Sequence, residues 1–276
     1  MAFLFLLGIL LAGVLAWLTY TKSRQARRER LLRQPLPAQY IRILEDKVTL
    51  YSMLPDDLRH DLHGRINIFL DEKQFIGCAG ITITDEMRLT IAGNACILLL
   101  NRANYRFTGF TSILVYPDTY VAEETTYDGV VETHGQESRA GESWHRGPVV
   151  LAWSDVVHGT LHERDGHNVV LHEFAHKLDE ENTIMDGLPV LRNSTDYKEW
   201  AEVLTREYDA LVMKAEHHDK SVMDSYGAVS PAEFFAVATE TFFEKPGEMQ
   251  EKLPELYQQL KKFYGLDPAT WHDKKN

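Results

Sequence analysis

His172 and His176 stand four residues apart with a carboxylate between them, in the run His172-Glu173-Phe174-Ala175-His176, an HExxH pattern. Residues at i and i+4 of a helix share one face about one turn apart, so both imidazoles can reach a single Zn²⁺, which takes nitrogen ligands at about 2.0–2.1 Å. Glu173 would then stand beside the metal, where its carboxylate can take a proton from the attacking water and pass it to a leaving amine while the metal polarises the scissile carbonyl. That chemistry is amide hydrolysis. The competing reading is a helix with two ordinary histidines. It would bury paired imidazoles among Val169, Val170, Leu171, Phe174, Ala175 and Leu178 without a partner, at considerable cost.

A hydrolytic zinc site keeps one position open and needs a third protein ligand. The extended metzincin pattern would place its glycine and its third histidine at Asp179 and Asn182, and neither position carries the required residue. A carboxylate from another helix is needed, with Glu199, Glu202, Glu207, Glu216, Glu233 and Glu240 as candidates. Glu233 has the most informative setting, Ser230-Pro231-Ala232-Glu233-Phe234-Phe235-Ala236-Val237, in which apolar residues surround it; Glu233, Val237, Glu240 and Glu244 follow one helical stripe. The same residues also read as a capping box, with Ser230 as N-cap, Pro231 at the first helical position and Glu233 three residues after Ser230. On local sequence both readings stand, and Glu240 is the rival ligand.

Asp179, three positions after His176, is placed to hydrogen-bond a ligand imidazole from outside the ligand set or to end the helix in solvent. Tyr226, just before the capping Ser230, reads on its own as a core or a site tyrosine. His162 and His167 flank the HExxH segment and His145 adjoins Trp144; none has a paired metal spacing, and they read as structural or substrate-contacting residues. His60 and His63 lie three apart without a base or a third ligand nearby, which favours a solvated helix face.

The elements that must position these groups follow from periodicity. Residues 41–70 carry Ile41, Leu44, Val48, Leu58, Leu62, Ile66 and Phe69 at helical intervals and predict two helices. From Gly80 onward β-branched and apolar runs predict a small sheet, clearest at 108–116 and 149–153. The glycine-bearing polar region 123–147 reads as a long functional loop or hairpin. Helices are expected at 168–178, 196–216, 230–244 and 254–264, and the order helices, strands, helices gives an α+β class.

The first twenty residues contain no charged side chain and are long enough to cross the roughly 30 Å of a hydrocarbon core. A cleaved signal peptide would carry its positive charges first; here Lys22, Arg24, Arg27, Arg28, Arg30 and Arg33 follow, against Glu29 alone. The expected organisation is a transmembrane anchor at 1–20, a basic juxtamembrane linker at 21–35 and a catalytic domain at 36–276, with that domain on the cytoplasmic face of a bacterial inner membrane. A soluble cytoplasmic protein is the alternative.

The whole chain has a formal charge of −12; removing the collar's +5 leaves the body at −17. Such a body repels phosphate and excludes nucleic acid as a partner, and its field would favour basic peptides. Its two cysteines, Cys78 and Cys96, have no metal spacing and form no disulfide framework, which also argues against a structural zinc site closed by thiolates.

Three segments together resemble the Mlc titration factor (MtfA) family of metallopeptidases: HEFAHKLD at 172–179, GESWHRGPVVLAW at 141–153, and Tyr226 followed seven residues later by Glu233 within PAEFFAV. The resemblance runs from about Leu36 to Leu266 and includes TDEMRLTIAGNA at 84–95. It implies one zinc held by His172, His176 and Glu233, a gluzincin-like set, with Glu173 as general base and Tyr226 donating its hydroxyl to the developing oxyanion. It also implies a mainly helical, zincin-like domain with a small β-sheet, related to lethal-factor-type catalytic domains, with the metal in a cleft between helices and sheet. The activity it implies is peptide hydrolysis with an aminopeptidase-like character, on peptides or unstructured protein segments. Some relatives are expected to sequester a transcriptional repressor, Mlc, which offers a binding-module reading in which hydrolysis is secondary.

Overall fold

The computed structural model describes residues 2–102, 106–118, 120–127, 132–139, 141–143, 147–161 and 164–271. Ala2–Arg33 is one unbroken helix, α1, whose apolar half holds Phe3, Phe5, Leu10, Leu11, Leu15 and Trp17 exposed rather than in a core. By length and composition this helix is sufficient to cross a membrane. The basic half continues the same helix and docks on α4 (Asp56–Glu72). Gly64 permits the approach, since a Cβ there would run into the Leu32 carbonyl. The Asn67 amide donates to the carbonyls of Leu31 at 3.2 Å and Gln34 at 2.7 Å. Asp71 and Glu72 end α4, where its own dipole disfavours negative charge, and α1 supplies the compensating cations. Arg27 pairs with Asp71, and Arg28 lies 2.6 Å from Glu72. Arg24 reaches the same Glu72 at 3.6 Å. Half of the basic collar is therefore engaged by protein.

The expected pair of helices over 41–70 is three: α2 (Ala38–Lys47), the short α3 (Thr49–Met53) and α4. Val48 adopts extended backbone and separates the first two, and Pro55 precedes the third. A larger correction falls at 85–97, within the stretch expected to be strand-like, which forms helix α5 (Asp85–Ile97). Thr84 caps it through the Met87 N–H, Asp85 and Glu86 suit its first turn, and it is buried on every side from Leu89 to Ile97. A helix without a polar face shows no amphipathic stripe, so its apolar text passes for strand.

The sheet has the order β1 (Gln74–Gly77), β2 (Ser112–Tyr116), β6 (Val149–Ala152), β5 (Gly141–Ser143). The first three run parallel and β5 is an antiparallel edge. Within region 123–147, β3 (Tyr120–Tyr127) pairs antiparallel with β4 (Glu132–Arg139), the hairpin alternative of the sequence reading. His145 and His162 lie outside the described residues. After β6 come α6 (Trp153–Leu161), α7 (Val169–Asp179), α8 (Asp196–Glu216), α9 (Pro231–Glu244), α10 (Pro246–Lys252) and α11 (Pro254–Tyr264).

Helix α7 is sandwiched by α5, α9 and the β6–β5 side of the sheet. Phe174, between the two histidines, is fully buried against the rings of Phe69, Phe107 and Phe110 at centroid distances of 5.6, 4.9 and 5.9 Å. Burying such a ring stabilises the fold by about 1.5–3 kcal/mol and fixes the rotation of α7, which sets the direction of its opposite face. The architecture is α+β and mainly helical with a small sheet.

Candidate metal centre

Three side chains from two helices converge on one point. His172 Nε2 lies 2.9 Å from Glu233 Oε2 and 3.2 Å from His176 Nε2, and His176 Nε2 lies 3.4 Å from the same carboxylate oxygen. Their ligating atoms all fall within 4.8 Å of one another, the one such His/Cys/Asp/Glu group among the described residues. Ligand atoms around a tetrahedral ion bound at about 2.0–2.1 Å are separated by about 3.3 Å, so these spacings fit the edges of a zinc coordination tetrahedron. The donor set fits as well: two imidazole nitrogens and one carboxylate oxygen leave a fourth position for water or substrate.

Each ligand is placed by local chemistry. Asn168 caps α7, its side chain accepting the Leu171 N–H at 3.1 Å. Ser230 caps α9 by accepting the Glu233 N–H at 3.2 Å, with Pro231 in the first turn. Both readings of Glu233 are therefore partly realised: its backbone belongs to the cap, while its carboxylate turns to the two imidazoles. Burial opposes charge on that carboxylate, yet the hydrogen bonds and charge of His172 and His176 hold its pKa at about 2. For His172 burial likewise opposes the charged form, but hydrogen bonds to Glu233 and Glu240, with Glu173 near, hold it well above the usual imidazole value.

Glu240, the rival ligand, does not join the cluster; it lies behind it, with Oε1 2.8 Å from His172 Nδ1 and Oε2 accepting the Asn168 backbone N–H at 2.5 Å. Glu173 is buried at the same turn. The Tyr226 ring sits 5.9 Å from that of His172, on the 3-10 turn Ser225–Ala228, and remains 53% exposed, open to a substrate. Asp179 is fully buried; one oxygen accepts the Gly187 N–H at 2.8 Å, and its other oxygen and His176 Nδ1 both lack a hydrogen-bond partner among the described residues. His167 is exposed, 3.6 Å from Asp224. His63 is half-buried beneath Tyr51, whose hydroxyl lies 2.9 Å from its Nε2, rather than on a fully solvated face.

Two polar residues of this region had little sequence signal. Asn168 is visible as an N-cap but not as a partner of Glu240, and Glu244 is visible only as a member of the α9 stripe. Glu244 accepts from Asn168 Nδ2 at 3.1 Å and from the Arg164 N–H at 3.2 Å. Burial pushes its carboxyl up to about 7 despite those bonds. A pKa raised from the ordinary carboxylate value gives stability that is present below about pH 4.5 and lost as pH rises through 7. The loss amounts to about 3 kcal/mol. Glu244→Gln lacks this titration, so in metal-free protein its unfolding free energy relative to wild type should rise from about pH 4.5 to pH 7 and level off above it. Parallel pH profiles in urea melts would sink the expectation.

Comparison with known proteins places the chain among metallopeptidases. The family described as glucose-regulated metallo-peptidase M90 matches residues 22–265, which includes the basic half of α1. An uncharacterized protein of Synechocystis sp. is 42% identical over 262 residues, covering 94% of this chain and 95% of the relative. Mlc titration factor A of Pectobacterium atrosepticum is 33% identical over 227 residues, 81% of this chain and 84% of the relative. Mlc titration factor A of Yersinia pestis is 32% identical over 205 residues, 73% of this chain and 75% of the relative.

Proposed function

The chain belongs to the glucose-regulated metallo-peptidase M90 family, and from that premise we propose that it is a zinc peptidase, aminopeptidase-like in action, held by α1 at the cytoplasmic face of a bacterial inner membrane. The observation that carries this reading is the convergence of His172, His176 and Glu233 at tetrahedral spacing, with Glu173 on the same helical turn. Zinc in this set supplies a Lewis acid and activates water at neutral pH. Glu173 takes the proton of the attacking water and delivers it to the leaving amine. The Tyr226 hydroxyl donates a hydrogen bond to the carbonyl oxygen as charge develops on it. Glu240 holds the far nitrogen of His172. The edge strand β5 beside α7 offers backbone groups to an extended peptide, in the manner of strand addition. The basic flank after the apolar half of α1 supports the cytoplasmic orientation.

The test is turnover of matched peptides with free and acetylated N-termini by the full-length protein in detergent micelles. Hydrolysis should stop with a zinc chelator, return with zinc, and fail on acetylated peptides. Equal turnover of both peptides would replace the exopeptidase reading with an endopeptidase one, and no turnover at stoichiometric zinc would overturn the peptidase reading. The name of the Pectobacterium and Yersinia relatives motivates a second role, titration of an Mlc-like transcriptional repressor. A Glu173→Gln protein that still binds such a repressor would separate that role from hydrolysis.

A further inference from the structure

We propose that Asn168 is a positioning residue that fixes the orientation of His172 through Glu240; the inference rests on the metal-site reading for its purpose but not for its geometry. Asn168 is 4% exposed and meets three helices at once. Its Oδ1 accepts the Leu171 N–H at the start of α7, which settles the amide orientation and makes Nδ2 the donor. Nδ2 donates to Glu244 Oε1 of α9 at 3.1 Å and to Asn94 Oδ1 of α5 at 3.2 Å. Asn94 is oriented in turn, its own Nδ2 donating to the Thr90 carbonyl at 3.0 Å.

The side chain is clamped at both ends, and the Asn168 backbone N–H donates to Glu240 Oε2 at 2.5 Å. Glu240 is thereby held as an acceptor with its other oxygen 2.8 Å from His172 Nδ1. Nδ1 is thereby turned to Glu240, and Nε2 faces Glu233 and His176. The two hydrogen bonds converge on the Glu240 carboxylate, one on each oxygen. The chain of contacts thus links the N-cap of the HExxH helix to the far nitrogen of its first histidine, while His176 Nδ1 has no such partner among the described residues.

Asn168→Ser isolates the clamp, because serine keeps the capping acceptor and the backbone N–H but loses the amide donors. In full-length protein, zinc affinity measured by chelator competition should fall about tenfold on Asn168→Ser and change less than twofold when the same substitution is made on Glu240→Ala. A purely structural Asn168 would give equal losses in both backgrounds, and that result would overturn the proposal. The second readout is the ¹⁵N imidazole spectrum of His172 in metal-free protein, where the Nδ1–H signal should broaden or shift in Asn168→Ser. An unchanged spectrum would also overturn it. Wild-type protein that binds no zinc, with the spectral change still present, would remove the metal reading and leave the positioning contact standing.

Discussion

Glu173→Gln should leave zinc bound at one ion per chain and lower kcat/KM about a thousandfold. Glutamine keeps the volume of a side chain that is 3% exposed, so α7 and its two histidines retain their packing. What disappears is a basic oxygen beside the metal, and general-base catalysis by a positioned carboxylate is worth about 10²–10⁴ in rate. Elemental analysis and peptide turnover on the same preparation separate the two properties. A variant that keeps zinc and hydrolyses within tenfold of wild type would show that another group takes the proton, and Glu173 would then be a buried electrostatic partner of His172.

Glu233→Ala should abolish stoichiometric zinc, a larger effect than the 10–100-fold weakening typical of removing a partner behind a ligand, which is the effect expected of Glu240→Ala. The comparison decides between the two carboxylates of the α9 stripe. It also decides between the two readings of Glu233 itself. A residue that served only the helix cap would cost about 1 kcal/mol of stability on removal and leave the metal in place. Here the cap acceptor is Ser230 and its bond goes to the Glu233 backbone N–H, which alanine retains. Zinc loss with the helix cap intact is therefore expected, and zinc retained at full occupancy would send the search for the third ligand elsewhere.

How much of this was legible beforehand follows from the range of the forces involved. The spacing of His172 and His176 is a property of one helical turn, and the Ser230-Pro231 start of α9 is a property of four consecutive residues, so both could be read along the chain. The apolar first twenty residues and the α+β order were equally local. Helix α5 was not, because burial on all sides erases the periodicity that identifies a helix. Nor was the docking of the basic collar, which depends on Asp71 and Glu72 about 44 residues away.

The sequence by itself determined the HExxH spacing, the caps that start its two helices and the apolar N-terminal stretch, since each depends on neighbours within a few residues. Only the tertiary structure decided which carboxylate faces the histidines and which stands behind them. Glu233 and Glu240 share a stripe, and their contacts to His172 span 61 and 68 residues. The packing of α7 against α9 turns one toward Nε2 and the other toward Nδ1. The physical reason is that side-chain direction in a buried site is set by the rotation of packed helices, which no local pattern encodes.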